Sequence, residues 1–207
     1  MKARLIATTH PDAIQLACEV IRAGGLIAFP TDTLYGLGCD PHLPAALQKI
    51  YAAKGRSMSK AIPVLISHPD QLNGLVSGFP KQAGSLMEHW WPGALTLVLP
   101  KNSQLPPDLT PYPGLAVRMP DHPLALALLD QSEPLAVTSA NLSDHDNPRD
   151  AQGVLAQLDG LVNLVLDGGE LISGQASTII DCLGSEPKLL REGPIPFPAI
   201  LERWYAG

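Results

Sequence analysis

Residues 30–40, PTDTLYGLGCD, combine hydroxyls, a carboxylate and alternating glycines. They follow the apolar residues 26–29, which predict a short buried strand. Such side chains at the tip of a strand could hold a small polar molecule, with Gly36 and Gly38 giving the backbone room to bend beside it. A polar loop with turn glycines explains the same residues equally well. The motif alone therefore leaves a binding site and a plain loop open.

A cationic cluster follows, in which Lys54 and Arg56 flank Gly55 and Lys60 comes shortly after. Lysine as a point charge and arginine as a bidentate fork suit a polyphosphate. The alternative is favourable charge at a helix C-terminus, worth about 0.3–1 kcal/mol. For this cluster alone the alternative is the better interpretation.

Four further residues could contact an anion. Ser139 and Asn141 come directly after the apolar residues 135–137, where they could bond phosphate oxygens or a base edge, or form a simple turn. Arg118 lies within an apolar strand and needs an anion, because a buried unpaired charge is costly. That anion could be an internal carboxylate such as Asp32 or the carboxylate of a ligand. Arg191 follows an apolar pair and precedes a flexible Gly193.

Several familiar catalytic motifs are missing from the sequence. It contains no GxxxxGK[ST], GxGxxG, HExxH or GxSxG pattern. The six histidines show no ligand spacing, and the three cysteines are too far apart for a zinc knuckle or a disulfide framework. We therefore predict no metal site made by protein side chains alone, and reduced thiols.

The elements that must position these residues alternate irregularly between strands and helices. Strands are predicted at residues 26–29, 62–66, 94–99, 114–119, 135–138, 161–166, 177–182 and 188–191. Helices are predicted after residue 12, at 44–53, after 68 and from 122 to 129, and residues 194–207 show helical spacing. The irregular order favours an α+β fold: a large mixed sheet in three layers with helices on its faces.

Composition sets the remaining limits. The 207 residues are 45% hydrophobic and 16% charged, which predicts one globular domain over 1–207, with a core at about 10–193 and a C-terminal segment at 194–207. The net charge of −6 argues against a general nucleic-acid coat protein. No signal peptide and no membrane-length apolar run is visible, so we expect a cytoplasmic protein without membrane contact.

Taken together and in this order, eight motifs resemble the YrdC domain family, whose characterised members are threonylcarbamoyl-adenylate synthases. The motifs are PTDTLYGLGCD, KGR, WWPGALTLVL, AVRMPDHP, VTSANLS, DGG, STIID and LLREG. The resemblance implies a twisted mixed sheet of the YrdC/RibB-like kind with a central cationic cavity. It also implies the formation of threonylcarbamoyl-AMP and pyrophosphate from L-threonine, bicarbonate and ATP with Mg²⁺, for the threonylcarbamoylation of adenosine 37 in tRNA.

The same resemblance implies roles for individual residues. Lys54, Arg56, Ser139 and Asn141 match the family's catalytic tetrad, which also handles the nucleotide. The positions that match threonine-binding residues are Thr33, Arg118 and Ser177, with Arg118 pairing the carboxylate. Additional ATP contacts fall at Lys60, Asn147 and Arg191. Other proteins of the tRNA threonylcarbamoylation pathway are implied as partners, and tRNA or double-stranded RNA as a possible one.

Two positions depart from the family pattern. Ser57 stands where a proline commonly follows the arginine, and Asp144 stands where a glycine usually follows the SANxS motif. A carboxylate near the expected ATP end could weaken nucleotide binding. The alternative function is therefore a non-catalytic or divergent YrdC-like protein that binds nucleotide or RNA. The length suggests the short bacterial form of the family.

Overall fold

The structure, a computed structural model, describes residues 2–172 and 174–206. It contains ten strands: β1 (Arg4–Ala7), β2 (Ile27–Phe29), β3 (Gly36–Cys39), β4 (Val64–Leu65), β5 (Leu95–Pro100), β6 (Gly114–Arg118), β7 (Leu135–Ser139), β8 (Leu164–Asp167), β9 (Thr178–Asp181) and β10 (Lys188–Arg191). The helices are α1 (Ala13–Arg22), α2 (Pro44–Lys54), α3 (Lys81–Trp90), α4 (Pro123–Ser132), α5 (Ala151–Leu158) and α6 (Phe197–Ala206), with a short 3-10 helix at Pro69–Leu72. The last residue of the predicted C-terminal segment, Gly207, lies outside the described residues.

All ten strands form a single sheet in the order β1-β8-β2-β3-β7-β4-β6-β5-β9-β10. The pairs β1–β8, β2–β8, β4–β6 and β5–β9 are parallel, and the other five pairs are antiparallel. The predicted α+β class with a mixed sheet flanked by helices is confirmed.

Helices cover the two faces of the sheet unequally. On one face, α1 and α4 pack over the strands at one side of the sheet, where Phe29, Val137 and Leu166 belong to the same apolar cluster. On the other face, a larger cluster joins the sheet to the remaining helices, including Leu97 and Val117 from its far side. The far strands β6, β5 and β9 therefore bury one face in this core, while their other face forms the floor of a cavity.

The two-residue period of the strands determines which side chains form the floor of that cavity. In β6, Leu115 and Val117 are fully buried in the core, whereas Gly114, Ala116 and Arg118 line the cavity. In β5, Leu95 and Leu97 lie in the core, whereas Thr96 and Val98 line the cavity. Small floor side chains leave space for a ligand above the sheet.

Four elements escaped the sequence prediction: β1, β3, α3 and α5. The omission of β3 matters most, because Gly36–Cys39 lies in the middle of the sheet and pairs with both β2 and β7. Its sequence, GLGC, lacks the β-branched and aromatic residues that mark most strands.

The interpretation of Gly36 and Gly38 as sites of backbone bending is wrong. Both lie in a regular strand under packed side chains. A Cβ at Gly36 would come within 2.7 Å of Val137 Cγ1, and one at Gly38 within 3.1 Å of Phe29 Cε1. Glycine is needed here because Phe29 and Val137 occupy the space that a side chain would take.

Helix α2 ends where the cationic cluster begins. Gly55 adopts the left-handed conformation, with φ 58°, and its N–H bonds back to the carbonyl of Ala52. This is the usual glycine stop of a helix. It turns the chain so that Lys54, in the last turn of the helix, and Arg56, just beyond it, reach the carboxyl end of β7.

Gly193 serves a close contact between two backbone segments and is not a flexible joint as the sequence suggested. A Cβ at this position would lie 2.3 Å from the backbone N of Thr178 and 2.6 Å from the carbonyl carbon of Ser177. Directly beyond it, the Thr178 hydroxyl donates to the carbonyl of Ile195 (2.9 Å) and accepts from its N–H (3.0 Å). The chain after β10 is thus fixed against the start of β9.

None of the helices within the described residues is long and apolar enough to cross a membrane.

We predict that Gly193→Ala destabilises the protein by about 1–3 kcal/mol, because the added methyl group must push apart two backbone segments. Gly184→Ala is the matched control, since a Cβ there meets nothing closer than 3.8 Å. The free energy of unfolding from urea titrations measures both changes. Equal stability of the two variants would contradict the close-contact explanation.

Candidate active site

The face of β6, β5 and β9 that α1 and α4 leave uncovered forms the floor of a cavity of about 600 Å³. Seven of the ten residues predicted to bind substrate or take part in catalysis line it: Thr33, Arg56, Arg118, Ser139, Asn147, Ser177 and Arg191. These seven residues lie at strand ends and in loops, and they come from both halves of the sheet. The cavity is large enough for a ligand considerably bigger than an amino acid.

Arg118 is buried at one wall and holds three elements together. Its Nη2 pairs with Asp32, its Nη1 donates to Thr33 Oγ1 (2.7 Å), and its Nε donates to the carbonyl of Gly93 (2.9 Å). Of the two anions that the sequence left open, the internal carboxylate of Asp32 is present. A guanidinium has five N–H donors, so two remain for a ligand.

Ser177, Thr96 and Arg191 form a second polar group on the floor. The hydroxyls of Thr96 and Ser177 lie 2.7 Å apart, and Arg191 Nη2 donates to Ser177 Oγ (3.0 Å) while its Nε donates to the Ser177 carbonyl (2.9 Å). Burial lowers the pKa of Arg191, and the charge of Arg118 lowers it further. Of these two interacting guanidiniums, Arg118 is paired with Asp32, and no ion pair of Arg191 is found among the described residues. The excess of positive charge favours an anionic ligand.

Arg56 lies at the opposite side of the cavity. Its Nη2 donates to the carbonyl of Ala61 (2.7 Å) and its Nη1 to the Thr138 hydroxyl (3.3 Å). Its Nε is buried and has no hydrogen-bond partner among the described residues. Buried donors without a partner are rare in folded proteins. An anion bound near Arg56 could therefore accept a hydrogen bond from this Nε after a small movement of the guanidinium.

Lys54 acts behind the cavity wall, because it does not line the cavity. Lys54 is 3% exposed, and its ammonium group donates to the carbonyl of Ser139 (2.5 Å), to the carbonyl of Asn141, and to Asn141 Oδ1 (3.0 Å). Burial, and then the charges of Arg56 and Lys60, lower the pKa of Lys54 to about 7. Lys54 therefore fixes the loop that follows β7.

Asn141 completes this internal network. Its Oδ1 also accepts from Ser139 Oγ (2.6 Å), and its Nδ2 donates to the carbonyl of His145 (2.6 Å). Asn141 is buried and does not line the cavity. Of the predicted tetrad, Arg56 and Ser139 thus face the cavity, and Lys54 and Asn141 support Ser139 from behind.

The loop after Asn141 carries an exposed ion pair at this end. Lys60 Nζ lies 3.7 Å from Asp144 Oδ1, and the two side chains are 52% and 87% exposed. Asp144 adopts φ 64°, a conformation that glycine takes without strain. Lys60, predicted to contact ATP, does not line the cavity.

The sequence prediction missed several cavity residues, among them Thr31, Thr96, Tyr112 and Asp181. Thr96 could have been found, because the alternation in ALTLVL places it opposite the core residues Leu95 and Leu97. Asp181 stands in the STIID motif two positions after Ile179, on the same face as Ser177. Tyr112 lies in a loop, where no periodicity indicates its direction.

Within residues 2–172 and 174–206, no group of three or more His, Cys, Asp or Glu side chains is placed to hold a metal ion.

Comparison with known proteins gives concordant matches. The sequence model of the Sua5/YciO/YrdC family, described as telomere recombination, matches residues 19–193. A threonylcarbamoyl-AMP synthase of Bacillus subtilis is 43% identical over 193 residues, which cover 92% of this chain and 56% of that protein. The chain thus spans little more than half the length of this relative.

Two solved structures extend the comparison. The structure of Pyrococcus abyssi Sua5 complexed with L-threonine matches with a TM-score of 0.92 and 37% identity, covering 98% of this chain and 61% of that one. Escherichia coli YciO matches with a TM-score of 0.85 and 27% identity, covering 97% and 99%. The mixed-sheet fold is therefore shared by relatives of both lengths.

The low pKa of Lys54 predicts a pH dependence of stability. In the unfolded chain a lysine keeps its proton up to about pH 10.4, so between pH 7 and that value the unfolded state binds more protons than the folded state. The contribution of Lys54 to the free energy of unfolding therefore rises with pH across this window. We expect the difference in unfolding free energy between the wild type and Lys54→Met to shift in favour of the wild type from pH 7 to pH 9.5.

Comparing the wild type with Lys54→Met cancels the opposing pH dependence that two buried cysteines contribute to stability. Burial raises the pKa of both Cys39 and Cys182 to about 12, so their contribution falls as the pH rises above the unfolded value of about 8.5. Both proteins contain these cysteines. Urea titrations of both proteins at pH 6.5, 8 and 9.5 measure the unfolding free energies. A difference between the two proteins that stays constant with pH would refute the proton loss assigned to Lys54.

Proposed function

Because the chain belongs to the Sua5/YciO/YrdC family, we propose that it is an L-threonylcarbamoyladenylate synthase. It joins L-threonine, bicarbonate and ATP to give threonylcarbamoyl-AMP and pyrophosphate. The observation that carries the proposal is one cavity that contains both a polar group suited to an amino acid, at Thr33, Arg118 and Ser177, and a cationic wall suited to phosphate, at Arg56. The product supplies the threonylcarbamoyl group for adenosine 37 of tRNA.

The first step places threonine beside Arg118. The two uncommitted N–H groups of this guanidinium donate to the amino acid carboxylate, while Asp32 and Thr33 keep the guanidinium in place. Ser177 lies within the same floor and offers a hydroxyl already oriented by Arg191 and Thr96. The amine of threonine combines with bicarbonate, releasing water and forming a carbamate. A cavity that restricts access of water protects this unstable group.

The second step transfers adenylate. A carbamate oxygen attacks the α-phosphorus of ATP, the new P–O bond forms, and the bond to the β-phosphate breaks to release pyrophosphate. The carbamate is already an anion, so positioning and charge stabilisation suffice without a general base. Arg56 and Ser139 face the cavity where the leaving phosphates would lie. Mg²⁺ bound to the ATP substrate would neutralise further phosphate charge.

Lys54 and Asn141 serve this step as positioning residues. Their hydrogen bonds fix the backbone and hydroxyl of Ser139 behind the wall. Asn147 lines the same side of the cavity and Arg191 the other, so both can contact the nucleotide. Lys60 reaches it only after leaving Asp144.

Incubation with ATP, threonine, bicarbonate and Mg²⁺ tests the proposal directly. We expect a threonylcarbamoyl adenylate in the mass spectrum, with pyrophosphate released in equal amount, and neither product when threonine or bicarbonate is omitted. Pyrophosphate release that continues without threonine would refute the substrate assignment. ATP binding without any product would favour the alternative, a nucleotide-binding relative, and tRNA binding with a steep salt dependence would favour an RNA-binding one.

Asp144 provides a second test. Its carboxylate pairs with Lys60 and repels an approaching phosphate, so Asp144→Asn should tighten ATP binding about two- to fivefold, the range expected for an exposed charge pair. Asparagine tolerates the left-handed backbone, so the variant isolates the effect of charge. Asp130→Asn, an exposed position on α4, is the control for the net charge. Unchanged ATP affinity in Asp144→Asn would show that Asp144 does not lie near the phosphates of bound ATP.

A further inference from the structure

Two hydroxyl groups in the turn between β2 and β3 form a hydrogen-bonded pair at the cavity wall. Thr31 and Thr33 are both buried and both line the cavity, and their Oγ1 atoms lie 3.1 Å apart. Thr33 is a predicted threonine-binding residue, whereas Thr31 has no role in the proposed reaction. A hydroxyl has one proton to donate and two lone pairs that accept. The direction of the bond between the two hydroxyls therefore depends on their other partners.

The proton of the Thr31 hydroxyl is engaged within the turn. Thr31 Oγ1 donates to the carbonyl of Leu34 (2.7 Å), so it has no proton left for Thr33. The same oxygen accepts the backbone N–H groups of Thr33 and Leu34, each at 3.2 Å. These bonds fix Thr31 Oγ1 as an acceptor, and the bond between the two hydroxyls runs from Thr33 to Thr31.

This direction leaves Thr33 with a single way to contact a ligand. Its proton is directed at Thr31, and one of its lone pairs accepts from Arg118 Nη1 (2.7 Å). Only the second lone pair remains, which can accept a hydrogen bond but cannot donate one. A ligand N–H or O–H group is stabilised at this position, whereas a carboxylate oxygen meets a lone pair and is repelled.

The other hydroxyl pair of the cavity lacks this constraint. Ser177 Oγ accepts from Arg191 Nη2 (3.0 Å), just as Thr33 accepts from Arg118. Its neighbour Thr96, 2.7 Å away, makes no other side-chain hydrogen bond with a described residue, so the bond between the two hydroxyls can run either way. Ser177 can therefore donate to a ligand or accept from it, whereas Thr33 can only accept.

We propose that Thr31 is a positioning residue for the amino acid substrate, because it keeps Thr33 as a pure hydrogen-bond acceptor. The group that Thr33 receives is a donor of threonine, either its amino group or its side-chain hydroxyl. The carboxylate is excluded from this position and goes to the free N–H groups of Arg118, directly beside it. The inference rests on the proposed function and deepens it, since the two hydroxyls set the orientation of the substrate.

Thr31→Val tests the proposal, since it keeps the volume of the side chain and removes the acceptor of the Thr33 proton. The loss of one hydrogen bond predicts that threonine binds about three- to tenfold more weakly in equilibrium titrations without ATP. Thr31→Ser retains the hydroxyl and should bind threonine as the wild type does. Thr110→Val is the control, because it removes another buried hydroxyl, which accepts the N–H of Tyr112 (3.2 Å), and should leave threonine affinity unchanged.

A double-mutant cycle separates this role from a general effect on the turn. Thr33→Val removes the ligand-facing acceptor itself, so adding Thr31→Val in that background should not weaken threonine binding further. An equally large loss with and without the Thr33 hydroxyl would overturn the proposal. Wild-type affinity in Thr31→Val, or a Thr31→Ser variant as weak as Thr31→Val, would overturn it as well. If Thr31→Val does not fold, Thr31→Cys provides the same comparison, because sulfur is only a weak acceptor.

Two analogues identify the donor of threonine that Thr33 receives. 2-Aminobutyrate lacks the side-chain hydroxyl, and 3-hydroxybutyrate lacks the amino group. If the amino group is the donor, Thr31→Val weakens the binding of 2-aminobutyrate and leaves that of 3-hydroxybutyrate unchanged. If the hydroxyl is the donor, the pattern is reversed. An equal effect of Thr31→Val on both analogues would contradict a specific donor at Thr33 and overturn the proposal.

Equilibrium binding keeps this test separate from the proposed reaction. If threonine binding depends on Thr31 as expected but no threonylcarbamoyl product forms, the positioning role stands and the proposed function fails. If the product forms while Thr31→Val binds threonine as the wild type does, the function stands and the positioning role fails. A wild type that does not bind threonine would overturn both.

Discussion

The buried guanidinium of Arg118 is the interaction on which the site depends. It joins the loop of Asp32 and Thr33 to β6 and, through the carbonyl of Gly93, to the turn before β5. Desolvation makes an unpaired arginine here expensive, and removing one partner of a buried ion pair typically costs about 3–5 kcal/mol. The pair is therefore better understood as a device that fixes geometry than as a source of stability. It closes one wall of the cavity while keeping donors available for a ligand.

A second network, on the far side of the cavity, fixes a wall in a different way. Lys54 directs its three donors to carbonyl and amide oxygens of the loop that follows β7. The amino group is thus placed one layer behind the surface, where it fixes the backbone carbonyls of this loop without blocking the cavity. Arg56 lies in front of it with a buried donor still unpaired. At this wall the donors of Lys54 are satisfied internally, whereas Arg56 in front of it retains hydrogen-bonding capacity.

The sequence predicted most strand and helix positions because apolar runs and proline or glycine boundaries are local signals. It predicted the pairing of Asp32 with a cation as one alternative, since a charged residue in an apolar strand must find an anion. It could not predict β3, whose glycines suit the packing of Phe29 and Val137 rather than any intrinsic strand preference. It could not separate residues that line the cavity from those behind it, such as Lys54 and Asn141, because that distinction depends on the direction of side chains at chain ends. The close approach of Gly193 to Ser177 is likewise a tertiary contact without a local pattern.

The floor of the cavity and the hydrophobic core are built from alternate residues of the same strands. Thr96 and Ala116 face the ligand space, while their neighbours Leu95, Leu97, Leu115 and Val117 are buried on the opposite face. Substituting a floor residue alters the shape of the cavity without removing a core contact, as long as the new side chain fits in the cavity above the sheet. Evolution can therefore vary what this sheet recognises with little effect on how it folds, which would let one scaffold serve family members with different substrates.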